Sequence, residues 1–129
     1  MPLQLEILSG RYAVCRLAPA QDVPAWAWTR PLASVTRTDA ELSIICAEAA
    51  VPATIERAER GWRALRVAEP LDFNAVGIMA QLTAPLAKAR ISILALATFD
   101  TDYLLVRELD LEGSVAALRA AGHHVCSGF

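Results

Sequence analysis

Leu3, Leu5 and Ile7 alternate with Gln4 and Glu6, the two-residue period of a half-buried strand. Ser9-Gly10 supplies a turn, and Tyr12, Val14 and Arg16 then alternate with Ala13, Cys15 and Leu17, so residues 3–8 and 12–17 are expected to form a hairpin. Pro19 and Pro24 bracket a loop into a short helix-like piece with Trp26 and Trp28, ended by Pro31. Residues 33–38 and 42–46 form a second expected hairpin across Asp39-Ala40. Pro52 suits a first helical turn, which predicts a helix to about Arg60 that stops at Gly61.

The second half changes period. Leu65 and Val67 alternate with Ala64 and Arg66, a strand closed by Pro70. From Asn74 to about Ala89, Val76, Met79, Leu82, Thr83 and Leu86 recur at helical spacing, with Pro85 expected to bend or shorten the helix. Residues 91–99 and 103–107 are apolar enough to be strands covered on at least one face. Asp110 is placed to cap a helix carrying Leu111, Val115 and Leu118, Gly122 to end it, and residues 124–126 to form a last strand. The order is βαββαβ. Setting residues 34–48 beside 95–108 aligns Asp39 with Asp100 and Glu41 with Asp102, a weak repeat at about 60 residues that implies two copies of one unit. The expected fold is therefore α+β, with two ferredoxin-like units side by side, residues 1–60 and 61–129, the first with a short or degenerate helix.

Composition narrows the function. The chain has 129 residues, 55% apolar and 20% charged, enough to bury a core. A net charge of −2, with scattered basic residues and Lys88 as the lone lysine, argues against nucleic acid. No apolar run approaches the roughly 20 residues of a membrane span. No basic segment followed by an apolar stretch opens the chain, so a cytoplasmic protein is expected. Cys15, Cys46 and Cys126 are widely spaced in apolar strands and read as free thiols.

Candidate chemistry is sparse. Asp100 and Asp102 flank Thr101 as turn residues and lack a neighbour that would make them an acid–base pair. His123 and His124 point to opposite sides of a strand, and with Cys126 they do not complete a tetrahedral metal set. No nucleophile with a positioned base and no phosphate-binding glycine loop is present, so neither enzyme activity nor a cofactor is expected. The turn before the second-half helix is the one feature with ligand-binding physics. Amides at a helix start suit a carboxylate, Gly77 allows close approach or close packing, and Asp72 either caps the helix or pairs with a cation.

Several stretches carry a family resemblance. They are Gly10-Arg11-Tyr12-Ala13-Val14-Cys15-Arg16-Leu17, Ser34-Val35-Thr36-Arg37-Thr38, Glu59-Arg60-Gly61-Trp62-Arg63, Leu71-Asp72-Phe73, Val76-Gly77-Ile78 and Asp100-Thr101-Asp102-Tyr103. Through them the chain resembles small tandem ACT-domain proteins of the CASTOR-like arginine-sensor group. Arg90 departs from that pattern, where a glycine is usual, and Ala97 and Phe99 replace a more polar pair. The resemblance implies a non-catalytic regulatory protein that binds arginine or another small amino acid between ACT units. Exposed sheet edges in a small βαββαβ protein lead to the expectation of a homodimer, through which binding would signal to a protein partner. The ligand residues the resemblance implies are Asp72, Phe73, Asn74, Val76, Gly77 and Ile78, with Ser92, Ile93 and Thr98 on the following strand. The alternative is an interaction module without a ligand site, in which sheet edges and the tryptophan loop make the contacts.

Overall fold

A computed structural model describes residues 2–68, 71 and 74–127. Its strands are β1 (Gln4–Ile7), β2 (Tyr12–Leu17), β3 (Ser34–Arg37), β4 (Leu42–Ala47), β5 (Ala58–Val67), β6 (Ile93–Ala97), β7 (Asp102–Arg107) and β8 (His124–Ser127). The helices are α1 (Ile78–Lys88) and α2 (Leu111–Ala120). The fold class is α+β, as the sequence implied. The chain forms two compact units, Gly10–Trp62, and Met1–Ser9 together with Arg63–Phe129.

In the first unit the strands pair in the order β3-β4-β2-β5, all antiparallel. Ala13 and Cys15 of β2 and Leu42, Ile44 and Cys46 of β4 fall on one face because side chains alternate, and all are buried. Ala27 and Val51 complete this core, with Trp26 and Ile55 packed against it. Where a βαββαβ unit carries its helices, this one has single 3-10 turns, Ala25–Ala27 and Glu48–Ala50.

The helix expected over residues 52–60 is absent. After turns at 51–57, β5 starts at Ala58, opposite Cys15, and Val51, Ile55 and Ala58 reach the core from turns and strand although their spacing would also fit a helix face. Gly61 ends no helix; it sits in a β-bulge. Tyr12 pairs with Trp62 and Val14 with Glu59, so Arg60 and Gly61 together oppose Ala13. Gly61 takes φ 80°, which glycine adopts without strain, and its N–H donates to Glu48 Oε1 at 2.7 Å.

The expected β1–β2 hairpin is also absent. β1 runs antiparallel to β5, Leu5 facing Val67, and parallel to β8, Leu5 facing Val125. Alternation fixes which face of a strand is buried and leaves its partner open. Residues 1–9 therefore belong with 63–129, and the first unit starts at Gly10 rather than at residue 1.

The second unit has the expected βαββαβ order, paired β6-β7-β5-β1-β8. Leu5, Leu65, Val67, Leu104, Val106 and Val125 form the sheet side of its core, against Leu82 and Leu86 of α1 and Leu118 of α2. Each such side chain contributes about 2 kcal/mol on burial. α1 starts at Ile78 instead of Asn74, leaving Val76 outside it and 91% exposed. Asp110 precedes α2 in helical geometry and makes no side-chain cap, because the 3-10 turn Glu108–Asp110 runs straight into the helix. No described helix is long and apolar enough to cross a membrane.

α1 closes with the Ile91 N–H on Leu86 O and the Arg90 N–H on Ala87 O, the paired bonds that demand a left-handed residue. Arg90 fills that position at φ 62°. Left-handed backbone costs a non-glycine residue roughly 1–2 kcal/mol, and part of that gain is offset by the greater unfolded-state freedom of glycine. Arg90→Gly is expected to stabilise the protein by up to about 1 kcal/mol in urea titration. A loss of stability would contradict this account of the turn.

Candidate functional site

The site is a cleft of about 190 Å³ in the second unit. One wall is the segment leading into α1, with Leu71, Ala75 and Ile78; the other is the β6–β7 connection, residues 97–102. Two hydrogen-bond sets hold the walls. The Thr98 N–H donates to Thr101 O at 2.8 Å, the Thr98 hydroxyl donates to the same carbonyl at 3.1 Å, and it accepts from the Thr101 N–H at 3.2 Å. The Leu71 N–H then donates to Asp100 O at 2.7 Å, tying one wall to the other. Beneath them the buried Thr101 hydroxyl donates to Val67 O of β5 at 2.8 Å. The turn is thereby anchored to the unit's core strand.

Of the residues expected to bind ligand, the cleft brings together Ile78 and Thr98. Asn74, Val76 and Gly77 are exposed in the loop that begins α1, beside the cleft-lining Ala75 and Ile78. Asp72 and Phe73 lie outside the described residues. Ser92 is exposed just before β6, at the end of the strand away from the cleft, while Ile93 packs on the core. Neither lines the cleft among the described residues.

Gly77 stands before the first helical residue at φ 79°, and a Cβ built there meets nothing within 4 Å. Close helix–sheet packing is therefore not its reason. The left-handed turn is.

The lining that pattern reading left out is Leu71, Ala75, Ala97, Phe99, Asp100, Thr101 and Asp102. The Asp-Thr-Asp run was visible as turn chemistry. Its meeting with Leu71 is a tertiary fact with no local signal. Asp100 and Asp102 give the described lining two carboxylates and no basic side chain. Such a surface favours a ligand that brings an ammonium or another cation.

Other chemistry-bearing residues stand apart. No described cluster of three or more His, Cys, Asp or Glu residues could hold a metal. Burial pushes the Cys46 thiol up to about 11, with neighbouring Cys15 adding to the rise and Arg60 opposing it. Burial likewise raises Cys15, again against Arg60. Thiols held protonated are poor nucleophiles. Trp26 packs on the first unit's core, and Trp28 is 63% exposed.

Comparison with known proteins gives the class. The ACT_7 family model, an ACT domain, matches residues 57–120, and a model describing an N-terminal domain matches residues 10–54. A crystal structure of an Agobacterium tumefaciens protein is 37% identical over 100% of this chain and 96% of its own, with a TM-score of 0.93. Aspartate kinase of Clostridium acetobutylicum is 9% identical and covers 91% of this chain and 33% of that one; its TM-score of 0.63 shows a shared fold. The human cytosolic arginine sensor for mTORC1 subunit 1 is 47% identical over 55 residues, 42% of this chain and 16% of that protein. The chain thus spans a small part of the curated relatives it matches. It belongs to the ACT-domain family, as a CASTOR-like member.

Three outcomes follow from this geometry. Thr101→Val leaves the Val67 carbonyl without its donor and is expected to cost about 1–3 kcal/mol in chemical denaturation; a neutral effect would remove Thr101 as the anchor. Gly77→Ala is expected to cost about 1 kcal/mol through φ alone. Among the cysteines, exposed Cys126 is expected to react with a thiol reagent at pH 8 while Cys15 and Cys46 react only on unfolding. Because burial raises the two thiols, their contribution to stability is full below the ordinary value of 9.0 and is lost as pH rises through about 11 for Cys46. Fast labelling of all three in the folded protein would contradict it.

Proposed function

We propose that this protein is a non-catalytic, cytoplasmic regulator that binds a small amino acid in the cleft between the start of α1 and the β6–β7 turn. One observation carries the reading: a helix start and a pair of carboxylates line the same cleft of an ACT domain. The first N–H groups of a helix have no intrahelical acceptor, and the dipole there favours negative charge. An α-carboxylate is suited to that end, and an α-ammonium to Asp100 or Asp102. Phosphoryl transfer and acyl transfer have no corresponding machinery among the described residues.

The relative that senses arginine supports arginine as the first ligand to try, and the acidic lining favours a cationic side chain over an acidic one. Val76, 91% exposed, and Phe99, 79% exposed, put apolar surface at the rim. That surface supports closure by an ACT unit of a second copy, so that ligand occupancy biases a homodimer and, through it, a protein partner. The exposed rim also favours a second reading, an interaction module that pairs there without ligand.

Thermal shift against the twenty amino acids up to millimolar concentration separates the two. A ligand at ten times its Kd stabilises by about 1.4 kcal/mol, a rise of a few degrees. The expected result is a shift for at least one amino acid, with affinity reduced roughly tenfold in Asp100→Asn. A flat panel with an intact dimer would favour the interaction module.

A further inference from the structure

Pro85 lies inside α1, yet the helix runs on to Lys88. Proline has no N–H, so it cannot donate to the carbonyl four residues earlier, which is that of Gln81. His123 Nε2 lies 3.2 Å from this oxygen. Gln81, Pro85 and His123 line the same groove. The ring's other nitrogen, Nδ1, accepts the Leu3 N–H at 3.1 Å. A backbone amide can only donate, so Nδ1 carries no proton, and Nε2 must carry the one it gives to Gln81.

The ring is held in place by α2. Gly122, at φ 97°, closes that helix with its N–H on Arg119 O, and the His123 N–H reaches Leu118 O. The next residue, His124, donates its N–H to Leu3 O at 2.9 Å, so both main-chain groups of Leu3 are tied to residues 123–124. A hydrogen-bonded path results. The Gln81 N–H donates to Gly77 O, the Gln81 carbonyl accepts from His123, and His123 accepts from Leu3.

We propose that His123 is a positioning residue: its imidazole stands in for the helix donor that Pro85 removes, and it latches α1, next to the candidate cleft, to the start of β1. His123 is 6% exposed, so solvent reaches its ring little. The inference concerns the fold's internal coupling and holds whether or not the cleft takes an amino acid.

Two measurements test it. Long-range proton–nitrogen NMR of the wild-type imidazole is expected to show the Nε2–H tautomer; an Nδ1–H tautomer would overturn the latch outright and needs no variant. A double-mutant cycle then reads the coupling to proline. His123→Ala is expected to raise the unfolding equilibrium constant roughly tenfold and to remove hydrogen-exchange protection at the Leu3 amide. In a Pro85→Ala background, residue 85 can itself donate to Gln81, and the His123→Ala penalty is expected to shrink by at least about threefold. Equal penalties in both backgrounds would show that His123 does not replace the missing donor.

Discussion

Strand β5 sets the order of everything around it. Its bulge at Arg60–Gly61 shifts the register with β2, which pairs on as far as Trp62, and further along Leu65 and Val67 lie in the core of the second unit. There the strand is flanked by β1 and β7. Because one of its carbonyls, that of Val67, accepts the buried Thr101 hydroxyl, β5 also fixes the β6–β7 turn. A burial pattern on one strand thus reaches the cleft in two steps.

One wall of that cleft, the 98–101 turn, is cross-bonded within itself. The opposite wall is tied to it by the Leu71 N–H on Asp100 O. A ligand there can shift a population only if it binds two arrangements of these walls differently. The His123 bridge places the same helix start in register with β1, so α1 is not an independent lid.

Much of this was legible in the residues. The strands expected over 33–38, 42–46 and 103–107 correspond to β3, β4 and β7, and the spacing of Met79, Leu82 and Leu86 marked the buried face of α1. The partner of β1 was not legible, because Leu3, Leu5 and Ile7 fit any sheet with one buried face. Residues 52–60 misled because a proline at a helix-start position and a glycine at a helix-stop position also describe a turn and a bulge. At the site, Ile78 and Thr98, both in the cleft lining, had been named through the family resemblance. The approach of Leu71 to Asp100 came only with the tertiary fold, and Gly77 was recognised as special without its cause, a positive φ.

The central claim is that an amino acid occupies the space between the start of α1 and the β6–β7 turn. Backbone amide NMR of the full chain during titration with arginine, then with the remaining amino acids, addresses it directly. The account predicts saturable shifts concentrated at Ala75, Ile78 and residues 97–102 for at least one of them. Saturable shifts centred elsewhere, or none at millimolar concentration, would contradict it.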